Sequence, residues 1–250
     1  MLAAGVVGYQ ALRGGAFGGG AQANVLGTAA DGSTCVADPT ETAGPFPGDG
    51  TNAKDGQTVN VLTESGVLRE DIRPSFGGMT PVADGVPMAI KIRLVSVTRA
   101  CAPLADHAIY VWHCDAAGRY SIYATEDSNY LRGVGVTDTN GEVTFTSIVP
   151  ACYDGRWPHV HFEVFASIEA AVSGDQSLLI SQFALPEAAV AAVYAADPRY
   201  AQSVAKLGEV SVAGDGVFGD NTPEQIAAQT MAMTSDASAG FVAFATVGLA

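Results

Sequence analysis

The 250-residue chain predicts a mainly β fold, an antiparallel β-sandwich with an irregular N-terminal arm and short C-terminal helices. Three observations point there. From Pro87 to Phe165, short β-prone runs alternate with turn residues, the spacing of a sandwich. In the first run Met88, Ile90, Ile92 and Leu94 alternate with Ala89, Lys91, Arg93 and Val95, the period of two that sends each set to one side of a strand. Thr139-Asn140-Gly141 separates two further runs, and Asn-Gly accepts the positive φ angles of a tight hairpin.

In chain order, Met1 to Ala23 is small and apolar, with Arg13 its single charge, and ends in Ala21-Gln22-Ala23. That ending resembles a small-x-small cleavage site, so residues 1–23 read as a shortened export signal without a basic start. Residues 24–84 are rich in Gly, Thr, Asp and Pro, with a turn cluster at Ala43-Gly44-Pro45-Phe46-Pro47-Gly48, and predict an arm wrapped on the rest. Residues 85–250 hold the sandwich and a C-terminal extension, with strands expected over Met88–Val97, His107–Trp112 and Val143–Ile148. Pro186-Glu187 opens a helix through Ala195, with Pro in the first position and a carboxylate in the first turn. Asp197-Pro198 restarts a second helix that ends near Gly208. Residues 225–249 fit a helix or a hairpin turning near Asp236, and the run from Phe241 to Val247 favours a terminal strand.

Charge narrows the partners. Twelve Lys and Arg stand against 26 Asp and Glu, a net −14. The cations are scattered singly, so nucleic acid and anionic membranes are poor partners, and the acidic surplus reads as a solubility device. No run of about 18 apolar residues occurs, so no membrane span is expected.

The four cysteines, Cys35, Cys101, Cys114 and Cys152, form no Cys-x-x-Cys pair. With the leader they fit disulfides in a secreted or cell-surface protein; buried thiols in a cytoplasmic one are the alternative. A strand from His107 to Cys114 spans about 23 Å, and bridged Cα atoms lie within about 7 Å, so Cys101 and Cys114 are not expected to pair. Cys35 bonded to either of them would pin the arm to the sandwich.

The chemistry concentrates in Arg156-Trp157-Pro158-His159-Val160-His161-Phe162-Glu163. On a strand, residues i and i+2 share a face, so His159 and His161 present two imidazoles to one point, as metal ligands do. Pro158 suits the first strand position, where its missing N–H does least harm. Tyr153 precedes His159 by six residues, and Tyr120, Tyr123 and Tyr130 lie on the loops before. A phenol has a pKa near 10, so ligation at neutral pH calls for a hard, strong Lewis acid such as Fe(III) rather than Zn(II) or Mg(II). Each tyrosine alone reads as a half-buried sandwich aromatic. His107 reads as a surface residue, and His113, facing away from Trp112, as a hydrogen-bonding residue behind the site. Trp112 and Trp157 read as core or rim aromatics.

Trp112-His113-Cys114-Asp115-Ala116-Ala117-Gly118-Arg119-Tyr120-Ser121, Tyr130-Leu131-Arg132-Gly133, Thr144-Phe145-Thr146-Ser147-Ile148, Tyr153 and Arg156 to Phe162 resemble the intradiol ring-cleavage dioxygenases. Pro39-Thr40-Glu41-Thr42-Ala43-Gly44-Pro45-Phe46 and Leu68-Arg69-Glu70-Asp71-Ile72 extend the resemblance, which runs from about Cys35 to Val164. It implies an immunoglobulin/transthyretin-like sandwich and Fe(III) held by Tyr120, Tyr153, His159 and His161, with Tyr120 and His159 equatorial and Tyr153 and His161 axial. Tyr123 and Tyr130 become wall or core residues. The implied partners are a small catechol and O2, both oxygen atoms entering a muconate-type diacid. Arg156 would stabilise negative charge on the ring, and Tyr153 would take a substrate proton. Two other readings stand beside this one: a catalytically silent transthyretin-like binding module, and a His-x-His zinc metalloenzyme. The chain departs from better-known members in two respects. No long amphipathic helical stretch precedes the β region, and the interval from Tyr153 to His159 is short. With the export signals, these departures imply a secreted or cell-surface branch, and a homodimer is compatible with the sequence.

Overall fold

A computed structural model describes residues 26–174, 176–236 and 240–250. The leader-like residues 1–23 lie outside the described residues. The strands are β1 (Leu26–Thr28), β2 (Thr34–Val36), β3 (Asp49–Lys54), β4 (Gln57–Asn60), β5 (Pro87–Ser96), β6 (Ala102–Pro103), β7 (Ala108–Trp112), β8 (Arg132–Val136), β9 (Glu142–Ile148), β10 (His159–Phe165), β11 (Leu179–Ala184), β12 (Ala232–Asp236) and β13 (Gly240–Leu249). The helices are α1 (Ile168–Ser173), α2 (Glu187–Ala196), α3 (Ala201–Leu207) and α4 (Pro223–Gln229).

The architecture is mainly β. One antiparallel sheet has the order β11-β10-β7-β8. The other is centred on β5, which pairs antiparallel with β9 and β6 and parallel with β13, and β12 lies beyond β13. The alternation expected in β5 holds: Met88, Ile90, Ile92 and Leu94 are buried while Lys91 and Arg93 are exposed. They join Ile109 and Val111 of β7 and Val160, Phe162 and Val164 of β10 in one core, where Phe162 stacks on Phe183 at 4.2 Å. Each such side chain contributes about 1.5–3 kcal/mol by leaving water.

The expected strands and the first helix fall within a residue or two of their observed bounds, as frayed ends lead one to expect, whereas the second helix, expected from Asp197-Pro198, begins as α-helix only at Ala201. Pro186 takes the N-cap position of α2. A short 3₁₀ turn, capped by the Asp197 carboxylate on the Arg199 N–H, leads into α3. Both readings of the tail are partly realised: α4 carries a capping box between Thr222 and Gln225, and β12 and β13 follow as an antiparallel pair.

One expectation is overturned. Asn140-Gly141 does not close a hairpin, because β8 pairs with β7 while β9 pairs with β5, so the turn carries the chain from one sheet to the other. The Asp138 carboxylate accepts the N–H groups of both Asn140 and Glu142. Gly141 alone takes positive φ, and a Cβ there would meet the Leu94 carbonyl oxygen at 2.4 Å. The turn chemistry reflects that close approach to β5 rather than a two-residue hairpin, which needs positive φ at both central positions.

Before β5 the chain forms an arm with two small hairpins, β1 with β2 and β3 with β4. A Cys35–Cys101 disulfide fixes its start, and Cys114 and Cys152 are buried free thiols. Asp38 donates its N–H to the Gly248 carbonyl and accepts the Gly248 N–H. Farther on, Arg69 donates its guanidinium to the Arg132 and Pro74 carbonyls. Among the described residues no helix is long and apolar enough to cross a membrane.

Candidate metal centre

Every residue of β10 is buried, on both faces. Val160, Phe162 and Val164 enter the core. His159, His161 and Glu163 take the other face, where His161 is cross-strand from Trp112 of β7 and Gln182 of β11, and Glu163 from Tyr110. The arm covers this face. The buried Arg132 guanidinium donates to the Phe46 and Pro47 carbonyls and to Ser121, and the Tyr110 hydroxyl also donates to Pro47. Gly44 has φ +72°, and a Cβ on it would lie 3.4 Å from the His161 ring.

Tyr120 follows a turn held by one carboxylate. Asp115 accepts the N–H groups of Ala117 and Arg119, the Arg119 side chain and the Tyr130 hydroxyl, and Gly118 supplies positive φ. Tyr153 comes from the loop before β10, with Gly155 at positive φ and the Arg156 N–H on the Tyr153 carbonyl. Tyr120 and Tyr153 rings meet edge to face at 5.8 Å.

Four polar atoms from these residues converge. Tyr120 Oη lies 3.2 Å from Tyr153 Oη, 3.3 Å from His159 Nε2 and 3.1 Å from His161 Nε2. His159 Nε2 is 3.1 Å from both Tyr153 Oη and His161 Nε2. Separations of about 3 Å are those of neighbouring donors on one metal ion with bonds of about 2 Å. Among the described residues no three His, Cys, Asp or Glu gather for a metal, so a donor set here has to include the phenols.

The protonation chemistry agrees. Burial, with the Arg156 charge adding to it, lowers His159 to about 3; burial and the neighbouring His159 drive His161 well below the usual imidazole range. Both rings are neutral, the state a metal requires. His159 donates Nδ1–H to the Trp157 carbonyl, which leaves its Nε2 lone pair facing the cluster. His161 stacks on Trp112 at 4.8 Å and 9°. Burial raises Tyr153 to about 12, and burial plus the adjacent Tyr153 hold Tyr120 well above the usual phenol value. Ionising two such phenols takes a strongly Lewis-acidic cation. The donor set therefore fits Fe(III).

Arg156 lies beside this cluster, and its Nε donates to Asp215 at 3.0 Å and its terminal nitrogen to Gln182 at 2.7 Å. Asp215 is buried and also accepts the N–H groups of Trp157 and Val217. Burial alone would raise its pKa, but Arg156 and the Trp157 N–H outweigh burial and lower it. Neither Asp215 nor Gln182 was legible as functional, since Gly214-Asp215-Gly216 and Ser181-Gln182-Phe183 carry no motif. Phe46, quoted only as part of an arm segment, packs its ring 5.0 Å from that of Tyr120. Tyr123 lines the arm side, donating to Asn52, and Tyr130 bonds Asp115 behind the site. His113 is buried between the Cys114 carbonyl and the Ser147 hydroxyl. His107, at the edge of β7, sits against the Ala105 carbonyl, and Trp157 packs with Ala184, Val217 and Phe218.

Comparison with known proteins bears on the fold that carries these residues. A family model described as "Dioxygenase" matches residues 77–176. No curated protein sequence matches the chain. Among solved structures, an intradiol ring-cleavage dioxygenase from Tetranychus urticae aligns with a TM-score of 0.64 and 20% identity, over 86% of this chain and 94% of that one. The dioxygenase domain of a dioxygenase carbohydrate-binding protein fusion from Streptomyces sp. SirexAA-E aligns at 0.51 and 22% identity, over 85% and 97%. Hydroxyquinol 1,2-dioxygenase from Pseudomonas putida DLL-E4 aligns at 0.51 and 17%, over 85% and 66%. Residues 77–176 match the dioxygenase family model, and the chain has the fold of the intradiol ring-cleavage dioxygenases.

Proposed function

We propose that the protein is a non-haem Fe(III) intradiol dioxygenase that opens catecholic rings with O2 to muconate-type diacids. The observation that carries this reading is the convergence of Tyr120 Oη, Tyr153 Oη, His159 Nε2 and His161 Nε2, which are the four atoms that would hold the iron. Fe(III) supplies, when bound, the Lewis acidity that keeps both phenols ionised and draws electron density from a catecholate.

The protein's own residues do the rest. Tyr153 is the less deeply buried of the two tyrosines, which suits it to accept a catechol proton at Oη. Arg156, fixed by Asp215 and Gln182, holds positive charge where the ring becomes negative. Its orientation is set before substrate arrives, so no reorganisation is needed during reaction. Phe46 against Tyr120 and Trp112 against His161 keep water from the donors and restrain the rings.

The transthyretin-like sandwich of residues 85–250 is the catalytic body in this reading, with residues 24–84 as its cover. The Cys35–Cys101 bond supports an oxidising compartment and hence a secreted or cell-surface enzyme. A silent binding module would have no use for two desolvated phenols beside two neutral imidazoles, and a zinc enzyme would use carboxylate or thiolate where the tyrosines stand.

The test is direct. Protein loaded with Fe(III) should absorb in the visible through phenolate-to-iron charge transfer, shift colour when catechol is added, and consume one O2 per ring opened. Colourless, zinc-loaded protein that leaves catechol intact would overturn the assignment.

A further inference from the structure

The loop that leads into Tyr153 is held from outside by one helical pair. Tyr200, in the turn between α2 and α3, donates its hydroxyl to the Val149 carbonyl at 2.8 Å, and Tyr194 of α2 donates to the Pro150 carbonyl at 2.7 Å. Ser203 of α3 is fully buried and serves both backbone groups of Cys152: its hydroxyl accepts the N–H at 3.1 Å and donates to the carbonyl at 3.3 Å. Nearly one turn on, the Lys206 ammonium meets the Asp154 carboxylate at 3.0 Å. Positions i and i+3 share a helix face, so α3 grips the residue before Tyr153 and the residue after it.

The two grips differ in kind. Cys152 is buried, and a buried N–H without a partner is costly, so the Ser203 hydroxyl is the strong point. The ion pair lies largely in solvent, with Asp154 88% exposed, which makes it weak and sensitive to salt. Tyr153 needs such support more than the histidines do. His159 and His161 take their direction from β10, whereas Tyr153 stands on a loop, where side chains are held less exactly than on a strand. On its other side Gly118 comes close: a Cβ there would lie 3.2 Å from the Tyr153 Cβ. A phenol that is both a metal donor and a proton acceptor needs a fixed pivot, because a small backbone error grows along the side chain and misplaces Oη.

We propose that Ser203 and Lys206 are positioning residues that hold Tyr153 Oη at Tyr120 and His159, an inference that rests on the function proposed above. Full-length protein loaded with Fe(III) is compared as wild type, Ser203→Ala, Lys206→Met and Tyr194→Phe. Three quantities are read: melting temperature, visible phenolate-to-iron absorption, and the rate at which a strong chelator removes the iron. Ser203→Ala should weaken the band and release iron about tenfold faster, the lower end of the range for groups that hold a metal ligand in place. Lys206→Met should release it about two- to threefold faster at low salt, a difference that molar NaCl removes. Tyr194→Phe loses a buried hydrogen bond from the same helices, so its melting temperature should fall as in Ser203→Ala while band and release rate stay at wild type. If Ser203→Ala fails to fold, Lys206→Met at low salt decides alone. Wild type without the band would overturn the proposed function and this inference with it. A wild-type band that Ser203→Ala leaves unchanged, an effect of Tyr194→Phe on iron release as large as that of Ser203→Ala, or a Lys206→Met release rate equal to wild type at low salt would overturn the inference alone.

Discussion

The two faces of β10 come from the same seven residues and are both dry, yet they are dry for different reasons. Val160, Phe162 and Val164 belong to the apolar core with residues of the opposing sheet such as Ile90 and Ile92. His159, His161 and Glu163 lie on the other face, where Gly44 of the arm approaches His161 and the hydrogen-bonding partners are phenols and imidazoles. The first face gains free energy by leaving water; the second loses some, because imidazole, phenol and carboxyl groups are stripped of solvent and partnered mainly by one another. Stability and chemistry are thus divided across one strand. The core face can be tightly packed because it has nothing to bind, whereas the arm-covered face keeps under-satisfied groups such as His161 Nδ1 and Glu163 Oε1.

The sharpest way to break this division is at the donors. Tyr120→Phe or His161→Ala should reduce catechol-dependent oxygen uptake to background and abolish visible absorption. The melting temperature of the metal-free protein should stay level or rise, because a desolvated polar group has been removed. A large fall in melting temperature in both variants would mean that this face also carries the fold. Phe162→Ala tests the opposite face: denaturant titration should show a loss of about 3–5 kcal/mol, since a large side chain leaves a cavity in a packed core. The fraction still folded at low temperature should keep its turnover.

The smallest expected effect lies at the edge of the functional face. Asp215→Asn removes the charge that orients Arg156, and should lower kcat by about 10–100-fold, the range typical for groups that hold a first ligand or catalytic residue in place. Its effect on stability has a definite sign. Asp215 has a lower pKa folded than unfolded, so its contribution is full above the unfolded carboxylate value of about 3.9 and is lost as pH falls through the lower folded value. Wild type should therefore exceed Asp215→Asn in melting temperature at pH 7, with the gap closing in strong acid. A gap that persists unchanged at the lowest pH would assign the loss to packing rather than charge.

What was legible in the sequence follows the range of the interaction. His159 and His161 share a face because a strand alternates with a period of two, a fact internal to three residues. The alternation from Met88 to Leu94 was readable for the same reason. Asn140-Gly141 misled because a turn dipeptide reports local backbone angles, not which strands it joins. Asp215 lies 59 positions from Arg156 and arrives only after α2 and α3 have folded back. The burial of Glu163 was equally hidden: His-Val-His-Phe-Glu-Val-Phe alternates like a half-exposed strand, and only the arm turns its polar side into an interior.

The Cys35–Cys101 bond gives that arm an unusual status. With 66 positions between the two cysteines, the segment bearing Gly44, Phe46, Asp49 and Arg69 is a closed ring, anchored where it enters and where β5 ends. Were its contacts on the functional face to loosen, the ring could drift only as far as its slack allows, and closure entropy grows slowly with loop length. Re-docking is then a short-range, intramolecular event at high effective concentration. The converging donors lie beneath this one tethered cover, so a molecule that displaced it locally would borrow the space without setting it free.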